Sequence, residues 1–230
     1  MIYKKNKLTI DGFNVEFLAR KFNTPIYCYS LIKIKENILN LKHHFKKIDP
    51  LICYAVKANT NISILKEIKN HNLGADVVSI GELMKALKAG IKPKKIVFSG
   101  VGKTSAEIEY AVNKNILLIN AESRSEILEI EKIAKRKRRV VNIGIRLNPN
   151  TDAQTISQIS TGKKENKFGL DQKIFLQLVN YLKNSKYLSL KCLSVHIGSQ
   201  ILNHKPYKNM LIIIDKVIKK SDYNFEYIDL

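Results

Sequence analysis

Three ionisable side chains lie where short apolar segments of the sequence end. Lys57 follows "LICYAV" at residues 51–56, Arg146 closes "VVNIGIR", and His196 lies in "CLSVHIGS". A lysine amine that is partly removed from water has a lowered pKa and can attack a carbonyl, including the aldehyde of a cofactor with which it forms a Schiff base. Each residue alone also has a structural explanation, because Lys57 can extend to water and His196 can be a hydrogen-bonded core residue.

Arg146 is harder to explain by structure alone, since a guanidinium within an apolar strand needs an anionic partner. Asp76 or the phosphate of a ligand is the partner that we expect for it. Polar residues recur at the ends of the other strand-like segments, which predicts one shared site if those ends meet. They are Glu82, Ser99, Asn120, Asn148 and Ser199.

The segments that must position these residues alternate between strand-like and helix-like patterns. Seven apolar strands are expected from residue 51 onward, separated by amphipathic helices, and "TPIYCYS" at 24–30 is strand-like as well. Such alternation is typical of a parallel sheet covered by helices. A doubly wound sheet is the alternative, but no glycine-rich fingerprint follows the first strand. The sequence therefore predicts an α/β fold, a TIM barrel with about seven of its eight strands.

Two local features refine this prediction. Asp76 is placed at the start of the second strand, "ADVVS". "SGVGKTS" at 99–105 resembles a phosphate-binding loop but lacks the first glycine of that motif. We therefore expect a strand end that turns into a helix, with Thr104 or Ser105 as the N-cap.

The net charge of +20 over 230 residues is a feature of nucleic-acid-binding proteins. Only six of the 40 basic residues are arginine, however, and the lysines are spread along the whole chain. The dense cluster "KRKRR" at 135–139 has no aromatic residues interleaved for base stacking. It is expected to be the solvated end of a helix. We predict no nucleic-acid partner.

The remaining composition indicates a cytoplasmic protein. No apolar run approaches the roughly 20 residues that span a bilayer, and the N-terminus lacks the apolar region of a signal peptide. The three cysteines, Cys28, Cys53 and Cys192, are far apart in apolar, strand-like surroundings. They are predicted to be buried free thiols in a reducing compartment, and no membrane association is expected.

Several motifs, in order and spacing, resemble those of the fold-type III pyridoxal-phosphate enzymes, the alanine-racemase-like barrels. Within that group the chain is similar to the diaminopimelate decarboxylases from about residue 10 to residue 230. The motifs are "YAVKAN" (54–59), "DVVSIGEL" (76–83), "VFSGVGKT" (97–104), "IRLNPN" (145–150), "STGKKENKFG" (160–169) and "VHIGSQI" (195–201).

The resemblance implies pyridoxal 5'-phosphate as the cofactor and no metal. Lys57 would hold the cofactor covalently and return a proton, His196 would stack on the pyridine ring, and Ser199 would lie near the phosphate. The implied reaction is decarboxylation of meso-2,6-diaminopimelate to L-lysine and CO2, the last step of lysine biosynthesis, with the cofactor as electron sink. A homodimer is implied as well. Further polar positions around the lysine and the cofactor are Asp76, Glu82 and Arg146.

The sequence departs from the family where it stops, at "FEYIDL". The resemblance implies that an eighth strand, a glycine-rich phosphate loop, an acidic partner for the pyridinium nitrogen and a C-terminal β domain would follow. Residues 1–30 resemble a segment that belongs to that second domain, and 31–230 resemble the cofactor-binding barrel. We expect the chain to be a fragment with little activity alone.

Two other functions stay open on the sequence. One is another decarboxylase of the same fold, acting on ornithine, arginine or carboxynorspermidine. The other is a pyridoxal-phosphate-binding barrel without catalytic activity. "SGVGKT", "NKFG" and "HIGSQ" favour diaminopimelate over the other substrates.

Overall fold

The computed structural model describes residues 2–4, 6–151 and 168–230. The chain begins with a small antiparallel sheet of three strands, followed by two helices. The first helix has no buried residue, and the second buries only Ile38. These elements are β1 (Ile2–Lys4), β2 (Lys7–Ile10), β3 (Phe13–Asn14), α1 (Val15–Phe22) and α2 (Leu31–Phe45).

The strand predicted at 24–30 is not formed. Pro25 has no amide hydrogen to donate to a neighbouring strand, and Tyr27 is 90% exposed instead of facing a sheet. Ser30 ends the segment as the N-cap of α2, where its side chain accepts a hydrogen bond from the Lys33 amide. Cys28 is therefore exposed, so its predicted burial was wrong.

Seven parallel strands follow in chain order across one sheet, as the alternating pattern predicted. They are β4 (Cys53–Ala55), β5 (Gly74–Val77), β6 (Ile96–Phe98), β7 (Leu118–Ala121), β8 (Val141–Arg146), β9 (Leu188–Ser194) and β10 (Tyr227–Asp229). The helices between them are α3 (Ile62–Asn70), α4 (Ile80–Lys88), α5 (Ser105–Lys114), α6 (Arg124–Lys137), α7 (Gln172–Leu182) and α8 (Lys205–Ser221).

The sheet curls so that its two edge strands approach each other. Cys53 of β4 and Tyr227 of β10 pack against the same small buried cluster, which includes Leu118 and Cys192. In a flat sheet these edge strands would be six strand spacings apart, at about 4.8 Å each. The curvature confirms the incomplete TIM barrel, with β4 and β10 as the edges of the described sheet.

Side-chain caps start the helices directly after the strands. Thr104 forms a capping box with Glu107 at the start of α5, which confirms one of the two predicted N-caps. Ser79 and Ser123 cap α4 and α6 by accepting hydrogen bonds from backbone amides. Each cap fixes the strand-to-helix turn, and these turns form the face of the barrel where the strands end.

The barrel has an apolar layer outside the sheet and a more polar interior. Helix α6 buries Ile127, Ile130, Ile133 and Ala134, which lie on one helical face. The same helix ends at Lys137, so the basic cluster lies at a helix end as predicted. None of the helices within the described ranges is long and apolar enough to cross a membrane.

Candidate functional site

Lys57 lies at the mouth of the barrel, directly after its first strand. β4 ends at Ala55, and a single 3-10 turn over Val56–Ala58 carries the lysine. Val56 anchors this turn because it is completely buried, whereas the Lys57 side chain is exposed. The turn leads into α3, whose N-cap is Asn61. A half-buried strand thus delivers an accessible amine to the end of the barrel where the other strands also finish.

Asp76 is the third residue of β5, so the prediction that it begins the strand was wrong. The strand starts earlier because Gly74 already pairs with Cys53 of β4, and it packs so closely against the Lys95 carbonyl that a Cβ would come within 2.3 Å of the oxygen. Asp76 thereby lies near the strand's carboxyl end. Burial raises the pKa of Asp76 to about 6, while a 2.6 Å hydrogen bond from Ser99 Oγ acts in the opposite direction.

His196 follows β9 and is half-buried. Burial, together with the positive charges of Arg146 and Lys57, lowers its pKa to about 4. The imidazole is therefore neutral at pH 7. Because Lys57 also lowers the pKa of Asp76, the lysine lies within electrostatic reach of both residues. The structure thus brings these four predicted site residues into one region.

The anionic partner of Arg146 is Glu122, not the expected Asp76 or ligand phosphate. The guanidinium donates through Nη1 to Glu122 Oε1 at 2.9 Å, and both side chains are buried. The guanidinium also lies 5.1 Å from the centre of the Phe168 ring. The second oxygen, Oε2, accepts a hydrogen bond from the Gly169 amide at 3.2 Å. Glu122 was missed, although it directly follows β7 and the strand-end pattern applies to it as well.

A second group of interior residues was only partly foreseen. Asn120 of β7 donates through Nδ2 to Asp229 Oδ2 at 2.7 Å and to Ser99 Oγ at 3.2 Å. Ser194 Oγ also donates to Asp229 Oδ2, at 3.0 Å. Asp229 and Ser194 lie on β10 and β9, so these bonds cross the barrel interior. No feature of the sequence distinguished these two residues from other polar residues in strands.

Lys103, in the segment that resembled a phosphate-binding loop, ties two strand ends together. Its ammonium donates to the carbonyls of Gly100 at 2.6 Å and Asn120 at 2.7 Å, and pairs with Glu126 at 2.7 Å. The side chain is 1% exposed. Glu126 in turn accepts from the Glu122 amide at 2.9 Å. This buried cation therefore holds the turns that carry the site residues.

The remaining predicted residues lie around the same mouth. Glu82 accepts a hydrogen bond from the Val78 amide at 2.9 Å, which fixes the turn after β5. Asn148 donates to the Phe168 carbonyl at 3.2 Å. Ser199 is exposed in the loop after β9. The motif at 160–169 lies outside the described residues up to position 167. The roles of these side chains stay predictions.

The chain belongs to the family of pyridoxal-dependent decarboxylases: residues 31–227 match the family's pyridoxal-binding domain. The fold and the lysine at its mouth agree with that class. Curated relatives are diaminopimelate decarboxylases, among them those of Helicobacter pylori strain J99, 49% identical over 207 residues, and Campylobacter jejuni, 46% identical over 203 residues. These alignments cover 90% and 88% of this chain.

Solved structures show the same similarity. The crystal structure of Helicobacter pylori diaminopimelate decarboxylase complexed with L-lysine superposes with a TM-score of 0.87 at 48% identity. The superposition covers 90% of this chain and 52% of the Helicobacter pylori chain. The two curated relatives are covered over 51% and 50% of their lengths. This chain thus spans about half the length of the proteins it resembles.

Proposed function

We propose that this chain forms the cofactor-binding barrel of a diaminopimelate decarboxylase, with pyridoxal 5'-phosphate as cofactor and meso-2,6-diaminopimelate as substrate. The observation that carries the proposal is the convergence of Lys57, Asp76, His196 and Arg146 at one mouth. Relatives with nearly half of the aligned residues identical support the choice of substrate. Two alternatives are outcomes of the test below: decarboxylation of ornithine, arginine or carboxynorspermidine, and cofactor binding without catalysis.

The residues present fit an aldehyde cofactor with a flat ring and an anionic group. Lys57 offers an accessible primary amine, and the neutral ring of His196 offers a flat surface that carries no charge at pH 7. Arg146 and Lys57 together create a positive field beside that ring. When bound, pyridoxal phosphate would withdraw electrons from the substrate carbon that loses CO2.

The chain's own residues have separate tasks in this proposal. Lys57 holds the cofactor and later carries a proton to the reacting carbon. Asp76 lies within electrostatic reach of the lysine, whose positive charge lowers the pKa of the Asp76 carboxyl. His196 supports the cofactor ring, and Ser199, in the loop that follows, contributes to phosphate binding. Arg146, fixed by Glu122, supplies positive charge at an unchanging position.

Residues 1–30 are proposed to belong to a second, β-rich domain and residues 31–230 to the barrel. Support comes from large apolar side chains of the first segment that face solvent: Phe13, Phe17, Phe22 and Tyr27. A shortened chain starting at residue 31 should keep the cooperative unfolding transition of the barrel. Loss of that transition would contradict this division.

The proposals for oligomeric state and cellular location rest on the resemblance to the family. We propose a homodimer, which sedimentation equilibrium of the purified chain would measure. We also propose a cytoplasmic location. The three cysteines within the chain are free thiols, which suits a reducing compartment. Small amino-acid substrates, rather than nucleic acid or membrane, are the proposed partners.

The test is decarboxylation measured with and without a complementing half. The chain is assayed with pyridoxal phosphate alone, where we expect little turnover, and then after co-expression with the C-terminal half of the Helicobacter pylori enzyme. We expect L-lysine from meso-diaminopimelate in the second case, and none with Lys57→Ala. Preferred turnover of ornithine or arginine would contradict the proposed substrate.

A further inference from the structure

The barrel interior contains two carboxyl groups, Asp76 on β5 and Asp229 on β10. Within the part of the chain that the structure describes, neither forms an ion pair at hydrogen-bonding distance. Burial of a carboxylate without a cation is costly, so the hydrogen-bond donors around it must stabilise its charge. The proposed function uses Asp76 beside Lys57 and assigns nothing to Asp229.

A continuous chain of neutral donors joins the two carboxyls. Ser99 Oγ donates to Asp76 Oδ1 at 2.6 Å, and Asn120 Nδ2 donates to Ser99 Oγ at 3.2 Å and to Asp229 Oδ2 at 2.7 Å. Ser194 Oγ also donates to Asp229 Oδ2, at 3.0 Å. The single hydroxyl proton of Ser99 is used by Asp76, so Ser99 can serve Asn120 only as an acceptor.

The Asn120 side-chain amide is held in this hydrogen-bond network by the hydrogen bonds that it donates. The residue is 1% exposed, and its Oδ1 accepts no hydrogen bond from any described residue. Gly144 provides the space for that oxygen, because a Cβ there would lie 2.1 Å from it. The orientation of the amide therefore depends on its acceptors, which are Asp229, Ser99 and, at 3.4 Å, Ser194 Oγ.

We propose that Asp229 is a positioning residue: through Asn120 and Ser99 it orients the donor that serves Asp76, so the carboxyl on β10 acts on the carboxyl on β5 without contacting it. A nearby negative charge opposes the ionisation of a second carboxyl. The charged groups around Asp76 are Asp229 from β10, Glu82 from α4 and Lys57 from the turn after β4. Of these, Asp229 and Glu82 raise the pKa of Asp76 and Lys57 lowers it.

The consequence for the site rests on the proposed function, whereas the link between the two carboxyls does not. Lys57, the proposed cofactor lysine, is one of the charges that act on Asp76. Asp229 thereby acts on the carboxyl that lies within electrostatic reach of the reactive amine, without touching the amine.

The experiment follows the Asp76 carboxyl by carbon-13 NMR through a pH titration of the full chain without cofactor. In Asp229→Asn we expect the pKa of Asp76 to fall by at least about half a unit, since a neighbouring negative charge is lost. In Ser99→Ala it should rise, because the ionised form loses its hydrogen bond. Two substitutions that only loosened the structure would not shift the Asp76 titration in opposite directions. Glu226→Gln, an exposed change beside β10, is the matched control and should leave it unchanged.

A second variant keeps the inference testable if Asp229→Asn does not fold. Ser194→Ala removes only the hydroxyl that donates to Asp229 Oδ2 and so loosens the position of that carboxyl, which should make the Asp76 pKa fall by a smaller amount. An unchanged Asp76 titration in a folded Asp229 or Ser194 variant would overturn the inference. A failure of Lys57 to react with the cofactor would instead count against the proposed function and leave the link between the two carboxyls standing.

Discussion

Two groups of buried charge in the barrel are built in different ways. Arg146 and Glu122 pair directly at 2.9 Å, with side chains that are 11% and 2% exposed. Asp76 and Asp229 are joined only through neutral side chains, and the pKa of Asp76 is raised by burial to about 6. A direct pair holds two opposite charges in contact, whereas a carboxyl served only by neutral donors, such as Asp76, can gain or lose its proton near pH 6. The direct pair holds the site in place, whereas the protonation of Asp76 in the second group can change with pH.

The largest expected effect comes from breaking the direct pair. Glu122→Gln leaves the Arg146 guanidinium buried without its anion and should lower the free energy of unfolding by about 3 to 5 kcal/mol. Urea denaturation measures this change. Glu109→Gln, which removes the exposed partner of Arg136 and Lys137, is the matched control and should change stability little. Equal effects of the two variants would contradict the contrast between fixed and exposed pairs.

A pH series separates the titrating carboxyl from the neutral imidazole. Folded Asp76 keeps its proton up to about pH 6 instead of 3.8, so its contribution to stability falls as pH rises between those values. Folded His196 stays neutral down to about pH 4 instead of 6.5, so its contribution rises with pH over nearly the same range. The two contributions oppose each other.

Removing one of these two titrating side chains should reveal the contribution of the other to the pH dependence of stability. Asp76→Asn should make stability rise more steeply between pH 4 and pH 6.5, and His196→Gln should make it fall with pH there. Urea unfolding at a series of pH values gives both slopes. If both variants keep the slope of the unaltered chain, the contrast in how these groups titrate is wrong.

The smallest of these effects concerns the space for Asn120. Gly144→Ala places a Cβ 2.1 Å from Asn120 Oδ1 and 3.0 Å from Cys192 Cβ, so the overpacked interior should lose about 1 to 3 kcal/mol. Gly81→Ala, in the first turn of α4 with no atom closer than 3.9 Å, should be neutral or slightly stabilising. Thermal unfolding compares them. A Gly144→Ala chain as stable as Gly81→Ala would mean that the amide is not confined.

Periodicity and strand-end chemistry were sufficient to predict the seven strands in order, the cap at Thr104 and the general position of Lys57. These features depend on residues close together in sequence. The partner of Arg146 and the bonds of Asp229 depend on the curvature and register of the sheet, which bring residues 24 and 109 positions apart into contact. The prediction of a strand at 24–30 failed for a related reason, because an extended segment forms a strand only beside a partner strand.

The most direct test of the central claim is reductive labelling of the purified chain with pyridoxal phosphate and borohydride, followed by peptide mapping. Because Lys57 lies among Asp76, His196 and Arg146 at the barrel mouth, we expect it to be modified at lower cofactor concentrations than the surface lysines. Exposed Lys35 and Lys216 serve as internal references. Labelling spread over the surface lysines, with Lys57 modified no more than these two, would contradict the account.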